Sequence, residues 1–212
     1  MGSDDVQTEH LVLALMEQLK MPLLQIAHHA ELAHEHALNE VGITAERALS
    51  LVDNYLLAVR LNQQELQFEP VSVSSVLYDV AHQLTPMAKQ YNCDLELRLD
   101  GKYQPVMSHK AGLHAALVTL GQSFIEAESA LRPTVVLAGY KSRRGITTGL
   151  FTESGQTPKL GISPKLRSAA DANIYVADSI FQAMAAKLYA AKHRKLNGLA
   201  VTLMPSTQLQ II

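Results

Sequence analysis

Residues 8–39 read TEHLVLALMEQLKMPLLQIAHHAELAHEHALN, a run without a glycine. Val12, Leu19, Ile26 and Ala33 stand seven apart, and Met16, Leu23, Ala30 and Ala37 form a second series four residues on. Alternating steps of three and four place both series on one stripe of an α-helix. Pro22 is the interior breaker; it removes one backbone donor and predicts a local bend. Asn39-Glu40-Val41-Gly42 reads as a turn, with Gly42 near the helix end.

A second helix starts at Thr44, a good N-cap, with Arg47 where a capping-box carboxylate would stand. Ala45, Val52, Val59 and Leu66 form one of its series, and Leu49 and Leu56 the other. Two helices joined by a short turn make an antiparallel hairpin. One hairpin lacks an apolar surface opposite its own seam. Either two copies pair into a four-helix bundle, or the hairpin packs on the second half of its own chain.

Phe68-Glu69-Pro70 ends the second helix and divides the chain into residues 1–68 and 69–212. Beyond it Val73, Val76, Leu77, Val80, Ala81 and Leu84 recur at helical spacing, while Leu95, Leu97 and Leu99 alternate with Glu96 and Arg98 as in a half-buried strand. The pattern then predicts a helix over about 110–129 and strands over 134–140 and 145–152 around the turn Lys141-Ser142-Arg143-Arg144. After a Gly/Pro/Ser-rich loop at 154–168 come a helix from about Ala172 to Ala191 and a last strand from Gly198 to Met204. The fold class is α+β: a helical hairpin followed by an α/β sandwich with an antiparallel-rich sheet.

The bulk numbers exclude several function classes. The 212 residues are 48% hydrophobic and 18% charged with a net charge of −2, so no basic field argues for nucleic acid or an anionic membrane. No stretch reaches the ~20 apolar residues of a membrane span. The acidic start Met1-Gly2-Ser3-Asp4-Asp5 opposes a signal peptide, and the lone Cys93 suits a reducing compartment, so a cytoplasmic protein is expected. His28, His29, His34 and His36 crowd the first helix without the three- or four-residue partner spacing of a metal site, and no metal is expected. Lys192-His193-Arg194-Lys195 reads as the cationic end of a helix.

The order of these parts resembles the transmitter core of bacterial histidine kinases, a dimerisation hairpin followed by an ATP-binding domain of the GHKL type. Glu17-Gln18-Leu19-Lys20-Met21-Pro22-Leu23 looks like that family's phosphoacceptor box, His-Glu-Leu-Arg-Thr-Pro-Leu. The stretch Leu49 to Leu57 is similar to the second dimerisation helix, and Phe68-Glu69-Pro70-Val71-Ser72-Val73 resembles the linker into the ATP-binding domain. Asn197 to Pro205 looks like that domain's closing Gly-x-x-Phe-x-x-x-Leu-Pro.

The departures fall on the chemistry. Glu17 stands where the resemblance puts the phosphoaccepting histidine. The box Asn-Leu-x-x-Asn-Ala falls on Thr119 to Phe124, so Thr119 and Ser123 replace its amides, and a hydroxyl is a poor substitute for a carbonyl ligand on Mg²⁺. The box Asp-x-Gly-x-Gly matches Glu153-Ser154-Gly155-Gln156-Thr157, with a longer acid and one glycine fewer. The last glycine-rich box falls on Asp171-Ala172-Asn173-Ile174-Tyr175-Val176, with no glycine to cradle phosphate and an acid to repel it.

What the resemblance implies, with these losses, is a pseudokinase: a kinase-like signalling protein without catalytic residue or cofactor. It would form a homodimer and bind a response regulator receiver domain or a true histidine kinase through Glu17, Lys20 and Leu24 on the outer bundle face. The alternative is an ATP-independent histidine phosphotransferase that uses a bundle histidine, with His28 the best placed.

Overall fold

The computed structural model describes residues 67–127, 133–153 and 169–206, and before them Gln18, Leu19, Met21, Pro22, Gln25, Ile26, Val41, Asp53, Asn54, Leu57, Ala58, Arg60 and Leu61. Twelve of these thirteen earlier positions fall within the two heptad runs and are helical, as the runs require. Val41, expected in the turn, is helical too.

β1 (Glu69–Val71) leads into α1 (Val73–Gln90), whose start is capped by Ser72 Oγ accepting from Ser75 N at 3.4 Å. The helix buries Val73, Val76, Leu77, Val80 and Leu84 of the spaced set read from the sequence, and Ala81, its sixth member, is half-buried against the same core. It stops in a Schellman arrangement: Cys93 N donates to Ala88 O at 2.8 Å, Asn92 N donates to Lys89 O at 3.1 Å, and Asn92 takes φ 52°. β2 (Asp94–Asp100), β3 (Val106–Ser108) and α2 (Lys110–Ala127) follow. Next come β4 (Thr134–Ser142), β5 (Gly145–Thr152) and α3 (Ala169–Ala183), and finally β6 (Tyr189–His193) and β7 (Leu196–Leu203).

Five strands form one sheet in the order β2-β4-β5-β7-β6, with β2–β4 parallel and every other pair antiparallel. β1 and β3 make a small separate ladder that the sequence did not reveal; runs of three residues carry no periodicity. One sheet face meets the helices. Val135, Leu137, Ile146, Leu150, Leu199 and Val201 lie in a single buried cluster with Leu77 and Leu84 of α1, Leu113 and Phe124 of α2, and Ile180 and Phe181 of α3. Ala58 and Leu61 of the second hairpin helix belong to that same cluster.

The sequence expectation fails again after α3. The helix read as running to Ala191 ends at Ala183, and residues 189–193 are an edge strand. The reason is a second Schellman ending: Ala186 N donates to Phe181 O and Ala185 N to Gln182 O, both at 2.9 Å, with Ala185 at φ 55°. A stop without glycine or asparagine gives no warning in the sequence. The basic run at 192–195 is therefore the tip of the β6–β7 hairpin and not a helix end.

Candidate functional site

α2 carries the positions that the family resemblance assigns to nucleotide binding, and it is wrapped on nearly every side. Leu113, Ala116, Leu117, Leu120, Phe124 and Ile125 are buried, as are Gly112, Gly121, Thr119 and Ser123. A helix that is apolar all round belongs inside a protein. α1 covers one side, where a Cβ added at Gly121 would strike Leu84. α3 and the residue after it cover another, with Ser108 Oγ and Met184 Sδ 3.7 Å apart beside Gly112. The second hairpin helix covers a third.

On that third side Thr119 is fully buried, and its hydroxyl is engaged twice: it donates to Ala115 O at 2.8 Å and accepts from Asn54 Nδ2 at 2.9 Å. Ser123 is equally buried. Asn173, in α3, is 4% exposed, and its Oδ1 has no hydrogen-bond partner. Glu153 is exposed just past the end of β5. Asp171 lies in α3 with its side chain outside the described residues, and Gly155, Glu17, Lys20, Leu24 and His28 also lie outside them. Of the sequence-derived positions, Thr119 and Ser123 thus share one helix, and neither faces an open cleft.

An open groove of about 570 Å³ lies elsewhere, between the segment 67–69 and the facing parts of α1 and α2. Asp79, His109, Lys110 and His114 line it. His109 caps α2, with its Nδ1 accepting from Gly112 N at 3.0 Å. Burial pushes the His114 imidazole below its ordinary pKa; nearby Asp79 opposes the shift and Lys110 adds to it. Sequence reading missed this group, whose one local signal is the four-residue step from Lys110 to His114 on one helix face. Among the described residues no cluster of three or more His, Cys, Asp or Glu side chains is disposed to hold a metal ion, and no helix is long and apolar enough to cross a membrane.

The sheet face away from the helices holds a third polar group. Val136, Ala138, Phe151, Leu196 and Ala200 form a second small buried cluster there. The His193 ring stacks on Tyr140 with centroids 4.7 Å apart and tilts against Phe151 at 5.4 Å. Asp100 receives Arg194 Nη2 at 3.1 Å and lies 3.6 Å from His193 Nε2.

No protein-family model and no curated protein matches this sequence. The fold itself has clear counterparts among solved structures. The histidine kinase AdeS of Acinetobacter baumannii superposes with a TM-score of 0.61 at 13% identity, over 89% of this chain and 97% of that one. A histidine kinase from Burkholderia phymatum gives 0.53 at 15% identity, over 90% and 98%. The catalytic domain of the histidine kinase ThkA gives 0.53 at 11% identity over 66% of this chain and 96% of that domain. A sheet with one parallel edge pair, three helices on one face and helical positions ahead of them gives this chain the fold of a histidine-kinase core.

Proposed function

We propose that this chain is a catalytically degenerate histidine-kinase-like signalling protein that works by binding partners and not by phosphorylating them. The observation that carries this reading is Thr119. The family pattern asks for an amide at that register, free to face a metal-bound phosphate. Here a fully buried hydroxyl spends its donor on Ala115 and accepts from Asn54. Ser123, in the second amide register, is buried on the same helix. Magnesium takes oxygen ligands in a near-ideal octahedron and keeps several waters, which a dry helix–helix contact does not supply.

In this reading residues 1–68 form the dimerising hairpin and residues 69–212 the sandwich. The hairpin seam pairs with a second copy, and the outer face around Glu17, Lys20 and Leu24 receives a receiver domain or a histidine kinase in the cytoplasm. Titration calorimetry with ATP and Mg²⁺, beside an active GHKL domain as control, tests the first part; no heat of binding is expected, and Mg²⁺-dependent binding overturns it. Light scattering tests the second, with a dimer expected and a strictly monomeric chain refuting it.

A further inference from the structure

The second hairpin helix and α2 lie against each other over about two turns. Asn54 meets Thr119 at one end and Leu61 meets Gly112 at the other, so the two helices run antiparallel. The fit is close. A Cβ on Gly112 would stand 3.3 Å from Leu61 Cδ1 and 3.0 Å from Met184 Sδ, so α2 is gripped between the hairpin and the end of α3. Between these ends Ala58 is fully buried. Within this apolar contact, one amide–hydroxyl bond between side chains 65 residues apart is buried.

We propose that Asn54–Thr119 is a latch that fixes the hairpin on the sandwich, so that both halves move as one body and the Thr119 face of α2 is shut by the chain's own helix. A buried polar pair specifies the register of an otherwise slippery apolar contact, because any shift breaks the amide–hydroxyl bond where water cannot replace it. In sequence spacing, at about 100° per residue, Asn54, Ala58 and Leu61 fall opposite the Val52–Val59 and Leu49–Leu56 series. Latch and dimer seam therefore use opposite sides of one helix and do not compete. The proposal deepens the pseudokinase reading by giving the closed face a mechanical cause, but its test does not depend on that reading.

The test is native-state hydrogen exchange on the full chain, comparing parent, Asn54→Ala, Thr119→Val, the double variant and Thr119→Ser. Amides around residues 53–61 should exchange about tenfold faster or more in each of the first two variants, while those of β4 and β5 hold their parent rates. The double variant should fall short of the sum of the two singles, because the Asn54–Thr119 bond is lost in each of them. Thr119→Ser keeps the hydroxyl and should stay near the parent, which separates loss of the latch from general loosening. Unchanged exchange in both single variants, additive effects in the double, or acceleration spread evenly over the sheet would each overturn the latch. Nucleotide binding by the parent would refute the pseudokinase reading and leave these rates to be judged separately.

Discussion

Asp100 and His193 stand on opposite edge strands of a five-stranded sheet, β2 and β6, yet Asp100 Oδ2 and His193 Nε2 are 3.6 Å apart. In a flat sheet four strand spacings across and about six residues along the strands would leave them roughly 28 Å apart, at diagonal corners. The sheet is therefore coiled so strongly that these two diagonal corners converge over the face without helices, and Val136, Ala138, Phe151 and Ala200 lie fully buried beneath the join. Arg194, at the β6–β7 tip, completes the join on the same carboxylate.

This join makes stability depend on pH. Burial lowers the His193 pKa; Asp100 opposes the shift, and Arg194 and Arg98 add to it. A base with a depressed folded pKa takes up its proton more readily when unfolded. Its contribution is therefore complete above the unfolded value near ~6.5 and is lost as pH falls below it. His114 shifts in the same direction and adds to the effect. Urea unfolding at pH 7.5 and 5.5 should show the parent losing stability on acidification, and His193→Gln losing less. A variant with the parent's full pH slope would remove His193 from the account.

The sheet also explains two glycines. A Cβ on Gly149 would strike the Leu199 carbonyl, and one on Gly198 the Leu150 carbonyl and Phe151, because β5 and β7 approach closely at these positions. Gly149→Ala and Gly198→Ala should each destabilise the chain by about 1–3 kcal/mol or prevent folding. Gly101→Ala gives the contrasting case in the same thermal melts: nothing lies within 4 Å of the added carbon, but Gly101 holds φ 112°, so its loss reads backbone strain without crowding.

Ala185 offers the opposite case. It holds φ 55° at the end of α3, where the left-handed conformation costs a residue with a Cβ about 1–2 kcal/mol, and its side chain is exposed. Ala185→Gly should raise stability by about 1 kcal/mol and the melting temperature by a few degrees. The same change at Asn92, which ends α1 in the same way, should gain less, because asparagine already tolerates this conformation. No gain at Ala185 would mean that the stop there carries no strain.

These particulars mark how far the sequence could be read. α1, β2 and the β4–β5 hairpin were legible because spacing and turn residues agreed, as Leu95, Leu97 and Leu99 do with their helix-facing side. β6 was hidden by the alanine stop, which let an apolar run look like a continued helix. The placement of Thr119 and Ser123 on one helix also followed from the sequence, but their closure did not. It depends on Asn54, a polar residue off the heptad seam, meeting a residue 65 positions away, and no local pattern encodes that meeting.

The all-round burial of α2 has a practical consequence for anyone dividing the chain. A fragment beginning at Gln67 would carry the whole sheet and its three helices, yet it would leave bare the strip of α2 that Leu61, Ala58 and Asn54 cover. That strip would face water as an apolar band with Thr119 in it, and bands of this kind drive self-association. Expression trials should therefore keep residues 54–61 and the sandwich in one polypeptide.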